Sequence, residues 1–178
     1  LINEHTLIVN VDSGVDYRLR TLEQAEIFHH PLDAQANENL RHYFKQLSAD
    51  EGQEGQSIEI NNRQLETFLV SEGVVYFDFS VLCESARSQG DYMEVSQLYH
   101  TVLMGNVKEM GPDSDDSTRR FIALVDEFYE RNVKLIMSAE KPLEELYSGG
   151  RLAFEFKRCL SRLQEMQSHD YLASEHIP

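Results

Sequence analysis

The residues with the most chemical promise are Asp126 and Glu127, which directly follow the apolar run Ile122-Ala123-Leu124-Val125. An apolar run ending in Asp-Glu is how a phosphoryl-transfer site presents the carboxylate that holds Mg²⁺ and the one that orients an attacking water. The apolar positions, however, continue through Phe128 and Tyr129 at a spacing near 3.6, behind a loop rich in Ser and Asp at 113–117. That spacing predicts an amphipathic helix, with N-cap candidates in the loop. No G-x-x-x-x-G-K-[ST] occurs in the 178 residues, so the backbone nest and lysine that would cradle β/γ phosphates are missing. Gly149-Gly150-Arg151 follows a helix instead of joining a strand to one, and reads as a helix C-cap.

Arginines are concentrated beside apolar runs: Arg18 and Arg20, the pair Arg119-Arg120 at a helix start, and Arg158 with Arg162 one turn apart. A cation near a helix N-terminus opposes the macrodipole, so Arg119-Arg120 calls for a partner such as Asp115, Asp116 or a bound phosphate. An arginine–carboxylate network inside the fold is the competing reading. The seven histidines form no H-E-x-x-H or Cys/His ligand set, and His29-His30 cannot easily converge on one metal from a short helix. Cys83 and Cys159 lack Cys-x-x-Cys spacing and read as reduced core thiols. A nucleophile built from Cys83 and the distant His100 has no supporting motif.

The elements needed to position these groups follow from period and punctuation. Leu7-Ile8-Val9-Asn10-Val11 reads as a buried strand, residues 15–20 as extended, and Thr21 with Gln24 as a capping box for a short helix stopped by Pro31. Asp33 caps a helix over 34–48 carrying Leu40, Tyr43, Phe44 and Leu47. The stretch 50–56, without an apolar residue, reads as a loop. Three strands near 58–60, 65–70 and 74–79 then suggest a β meander. Asp91 is expected to cap a helix, 101–104 and 133–137 to be strands, Pro142 to begin a short helix, and the last helix to bury Cys159, Leu160, Leu163 and Met166. The resulting fold class is α/β: a partly parallel sheet flanked by helices, with a small antiparallel meander and a short helical lid-like segment. A division near residue 50 would separate a core strand plus lid-like helices from an α/β subdomain over 51–178.

Composition narrows the function classes. With 41% hydrophobic residues the chain is expected to fold, while 31 acidic against 16 basic residues give a formal charge of −15. Such a charge repels nucleic acid and anionic lipid at long range. No run reaches the roughly 18 apolar residues of a membrane span, and no signal peptide opens the chain, so a cytoplasmic protein is expected. Leu1 in place of Met suggests a fragment.

Several strings resemble the ZapE-type cell-division ATPases and their mitochondrial relatives: Asp16 to Arg20, Phe77-Asp78-Phe79 with Leu82-Cys83, Asp91-Tyr92, Arg119 to Tyr129, and Ser161 to Ser168 ending near Tyr171. The resemblance covers about 1–172 and corresponds to the part of that family after its nucleotide-binding motifs. Thr118, where relatives usually have alanine, departs from it. It implies a fragment of an AAA-class P-loop ATPase using ATP and Mg²⁺, found in the cytoplasm at the division site. It also implies an FtsZ-type division protein as partner, with possible self-association. Arg18, Arg119 and Arg120 would be the contacts to nucleotide or a neighbouring subunit, stabilising charge without transferring protons. The fragment alone would lack hydrolysis. The alternative is a non-catalytic acidic module that docks a protein partner.

Overall fold

The computed structural model describes residues 17–178; the strand expected at 7–11 lies outside them. Residues 17–24 are helical (α1). The extended reading is therefore corrected over Tyr17–Arg20. Thr21 lies inside the helix, not at its cap, with its hydroxyl donating to the Tyr17 carbonyl at 2.9 Å. The helix forms because Leu19 and Leu22, three apart, share a face that packs into the core.

After β1 (Phe28–His29), α2 (Ala34–Leu47) begins at the predicted cap. The Asp33 carboxylate accepts from Gln35 and Ala36 N–H, both at 3.1 Å, occupying two of the amides a helix start leaves without partners. Its buried face is Ala36, Leu40, Phe44 and Leu47. The expected loop at 50–56 contains a two-residue strand, β2 (Gln53–Glu54), paired antiparallel with β5 (Leu69–Ser71). Gly52 makes the turn before it at φ +77°, and a Cβ there would lie 2.5 Å from the Phe44 ring, so a side chain would clash as well as strain the backbone.

The expected antiparallel portion is present as two hairpins, divided between two sheets. β3 (Ser57–Ile60) and β4 (Arg63–Glu66) form a separate pair, turned by Asn61 and Asn62 at positive φ. β5 and β6 (Val74–Asp78) join the main sheet. That sheet has the order β1-β8-β7-β6-β5-β2, with β7 (Thr101–Val107) and β8 (Lys134–Ala139). Strands β1, β8, β7 and β6 run parallel. Parallel neighbours need crossover helices, here α3 (Phe79–Cys83) with α4 (Gln89–Leu98), and α5 (Asp115–Glu130). The cap of α4 is Ser88, not Asp91; Asp91 is its third residue and accepts from the Ser88 N–H at 2.8 Å.

Strand alternation builds two cores. Val75, Phe77, Val102, Met104, Leu135 and Met137 face α3, α4, α5 and α6 (Ala153–Glu165). Val74, Tyr76, Leu103 and Ile136 face α1 and α2. The turn after Pro142 is one 3₁₀ turn, Leu143–Glu145, and α7 (His169–Ala173) places Tyr171 in the first core and Leu172 in the second. Among the described residues no helix is long and apolar enough to cross a membrane.

β1 is held to α2 by His29, which is 8% exposed. Its Nδ1 meets Glu26 at 2.9 Å and its Nε2 meets Asp33 at 3.0 Å. The hydrogen bond with Glu26, against the opposing effect of burial and with help from Asp33, raises the imidazole pKa. Raised folded-state affinity for a proton gives stability that is fully present below about 6.5, the free imidazole value, and is lost as pH rises through the folded value. The urea midpoint should thus fall as pH rises above about 6.5, and His29→Gln should flatten that component of the profile; an unchanged slope would contradict the clamp.

Candidate functional site

Where β7 and β8 begin, the ends of several elements enclose a cavity of about 370 Å³. α1 contributes Arg18, Leu19 and Leu22, and α2 its last residue, Leu47. His100 and Thr101 open β7, Lys134 opens β8, and Leu172 to His176 close the far side. The leucines are placed by core burial, since Leu22, Leu47 and Leu172 are each 6% exposed or less. The polar wall is cationic. Lys134 is 6% exposed, and its ammonium donates to the Asn132 carbonyl at 2.7 Å, the Ser174 carbonyl at 2.8 Å and the Ser174 hydroxyl at 3.2 Å. It also lies 4.9 Å from the centre of the Tyr171 ring.

These partners satisfy the donors of Lys134 without neutralising its charge. Among the described residues no carboxylate lies within 4.0 Å of its nitrogen or of the Arg18 guanidinium. Burial brings the Lys134 pKa down to about 8. Burial, then Arg18, His176 and Lys134, hold His100 down at about 4. His100 is therefore neutral at physiological pH, with Nδ1 2.9 Å from the Thr101 hydroxyl and Nε2 3.4 Å from Arg18 Nη1. His176 is anchored through Nε2 to the Ser96 carbonyl at 2.6 Å. Arg18 and Lys134 outnumber Glu175 in the lining, and the leucines give the pocket an apolar floor.

Arg18 therefore lines a cavity, whereas Arg119 and Arg120 lie elsewhere, on α5 against the other core. Arg119 is exposed. Arg120 approaches the Cys83 carbonyl at 3.4 Å and borders a shallow surface with Glu84, Asp113, Asp115 and Asp116. The structure does not bring the three arginines into one pocket. The macrodipole argument is relieved because Asp115 and Asp116 occupy the first turn of α5 and the arginines come after them. Asp115 is itself taken by Arg151, whose Nε donates at 3.0 Å.

Asp126 and Glu127 are on helix α5, as the 3.6 spacing predicts. Asp126 accepts from Arg162, and from Arg158 at 3.4 Å; Glu127 accepts from the Gln89 amide at 2.7 Å. Both are structural contacts between helices. Among the described residues no group of three or more His, Cys, Asp or Glu side chains gathers around a possible metal position. Among the described residues, Asp126 and Glu127 are thus engaged by Arg158, Arg162 and Gln89 and do not form a Mg²⁺ site. Cys83 and Cys159 are buried, and burial pushes both thiols well above their ordinary value, which disfavours a thiolate nucleophile.

Sequence reasoning missed Lys134, Ser174 and His176 and gave His100 no role here. The available signal was a lysine opening an apolar strand, where a buried charge is unusual; its neighbours in the cavity are too distant in sequence to reveal themselves by spacing.

Helices alternating with parallel strands, covered on both faces, define an α/β domain whose sheet ends in an antiparallel edge. The sequence model of the AFG1-like ATPase family matches residues 1–175, and the chain belongs to that family. It is 49% identical over 176 residues to Cell division protein ZapE of Escherichia coli K12, covering 99% of this chain and 47% of that protein. The O157:H7 protein of the same name gives the same figures. Lactation elevated protein 1 homolog B of Danio rerio is 24% identical over 209 residues, covering 98% of this chain and 42% of its own length. The chain spans about half the length of the curated relatives it matches. No solved structure matches it.

Proposed function

We propose that the whole protein is a Mg²⁺-dependent ATPase of bacterial cell division, acting in the cytoplasm on an FtsZ-type ring protein. In this reading the described half completes the architecture and couples nucleotide state to the partner. The observation that carries the reading is the 49% identity to a cell-division protein over 99% of the chain. In this reading phosphate binding and water activation belong to the other half of the protein, which the missing G-x-x-x-x-G-K-[ST] and the helical setting of Asp126-Glu127 support. Hydrolysis by residues 1–178 alone is then not expected. The role left to Arg18, Arg119 or Arg120 is charge stabilisation at a nucleotide or subunit boundary, which suits an always-protonated guanidinium.

Phosphate release by the whole protein and by residues 1–178 alone, each with Mg²⁺ and with EDTA, tests this. The whole protein should turn over ATP only with Mg²⁺, and the shorter chain should stay at background. An inactive whole protein, or equal rates from both, would defeat the reading. Alanine at the arginine that touches the transferred phosphate should cost about 10³-fold in kcat. Pelleting of FtsZ-type polymers should respond to the whole protein in an ATP-dependent way. Equal binding by residues 1–178 without nucleotide would favour the acidic docking module instead.

A further inference from the structure

We propose that the cavity between α1, the starts of β7 and β8, and residues 172–176 binds a small amphipathic anion: a carboxylate or phosphate head on a short apolar body. The inference stands on this half of the protein alone and does not rest on the ATPase reading. Burying a charge is costly unless an opposite charge or a ligand compensates it. Lys134 is 6% exposed and tied to three neutral oxygens. Arg18 at the same wall has the neutral imidazole of His100 for a partner. These cations are concentrated in a chain of formal charge −15, where the general surface would repel an anion. An anion seated beside the neutral His100 would offset the repulsion between Arg18 and Lys134 and satisfy the guanidinium with charge-assisted bonds.

The apolar floor sets the rest of the ligand. Leu19, Leu22, Leu47 and Leu172 offer no donor or acceptor side chain, so they favour an aliphatic body over an inorganic ion. About 370 Å³ lies near the low end of small-molecule sites. The groups whose charge bears on the site are Arg18 from α1, His100 before β7, Lys134 from β8, and Glu175 with His176 from the closing segment. Glu175 is exposed and disfavours a second negative charge at that side, which selects a single compact head. The site lies at the strand starts, opposite the carboxyl ends where open α/β sheets ordinarily bind ligands.

Hexyl phosphate and hexanoate are the probes, with inorganic phosphate, hexanol and Mg²⁺–ATP as comparison arms. Each is added to the 178-residue chain and followed through the ring-proton NMR signals of His100 and His176. Either amphipathic anion should give a saturable shift and move the His100 titration midpoint up from about 4; which binds better identifies the head. Arg18→Gln changes an exposed side chain and should weaken that binding about tenfold, a change of about 1.4 kcal/mol. Leu19→Ser should weaken hexyl phosphate and leave inorganic phosphate unchanged. The proposal is overturned by no saturable shift, by hexanol acting as well as the anions, by inorganic phosphate binding as tightly as hexyl phosphate, or by Mg²⁺–ATP binding more tightly than either probe.

Discussion

Phe121→Ala should lower the free energy of unfolding by about 3–5 kcal/mol, the cost of truncating a buried aromatic ring. Phe121 is 0% exposed and is the point where three helices meet. Its ring lies 6.2 Å from Phe79 of α3 and stacks at 6.1 Å on Phe156 of α6. Phe156 in turn stacks on Tyr147 at 5.0 Å. Truncation leaves a cavity that rigid neighbours on a packed sheet cannot collapse into. Guanidinium unfolding at pH 7 measures the loss. Phe121→Leu keeps most of the volume and should cost less than half as much. A Phe121→Ala loss under 1 kcal/mol would mean that these helices repack independently.

Asp91→Ala should cost about 3 kcal/mol, the lower end of what removing one partner of a buried ion pair costs. The Asp91 side chain is 1% exposed, whereas Arg63 opposite it is 43% exposed, so the guanidinium left behind regains water and limits the penalty. The carboxylate accepts from Arg63, from the Asn61 amide at 3.0 Å and from the Ser88 N–H at 2.8 Å. It thereby fastens the β3–β4 hairpin to the start of α4. Burial raises its pKa, but the bonds from Ser88, Asn61 and Arg63 outweigh burial and hold it below the ordinary carboxylate range. A lowered folded-state value gives stability that is complete above about 4, the free carboxyl value, and lost as pH falls through the lowered one. The gap between wild type and Asp91→Ala should therefore be full at pH 7 and narrow in acid. A gap that persists unchanged at pH 2 would assign the effect to packing and neutral hydrogen bonding at the start of α4 and not to the charge.

What the chain revealed in advance divides along a physical line. α2 was legible because Asp33 and the four buried residues behind it are all local signals. So was α5, where the helical period outweighed the resemblance of Asp126-Glu127 to a metal-binding strand end. β7 and β8 announced themselves as apolar runs because strands covered on both faces have no polar side to show. Tyr17–Arg20 misled because its alternation of polar and apolar residues fits a strand as well as a helix; burial of Leu19 and Leu22 decides it. Asp91 misled because several polar residues preceding α4 could cap it, and only the fold selects Ser88. The meander reading held for its two antiparallel pairings but not for the division of its middle strand between two sheets, which is a tertiary choice. The cavity was least legible, for its walls come from residues as far apart as Arg18 and His176.

Asp126 carries a warning for anyone who screens the whole protein by alanine replacement. Its carboxylate is the socket into which Arg158 and Arg162 plug α6, and Arg162 also covers the Tyr129 ring at 5.0 Å. Alanine there would loosen two helices from each other, so any activity lost with it would imitate the loss of a metal ligand. Unfolding measured beside activity separates the two meanings: a broken seam lowers stability, and the loss of a metal ligand alone does not.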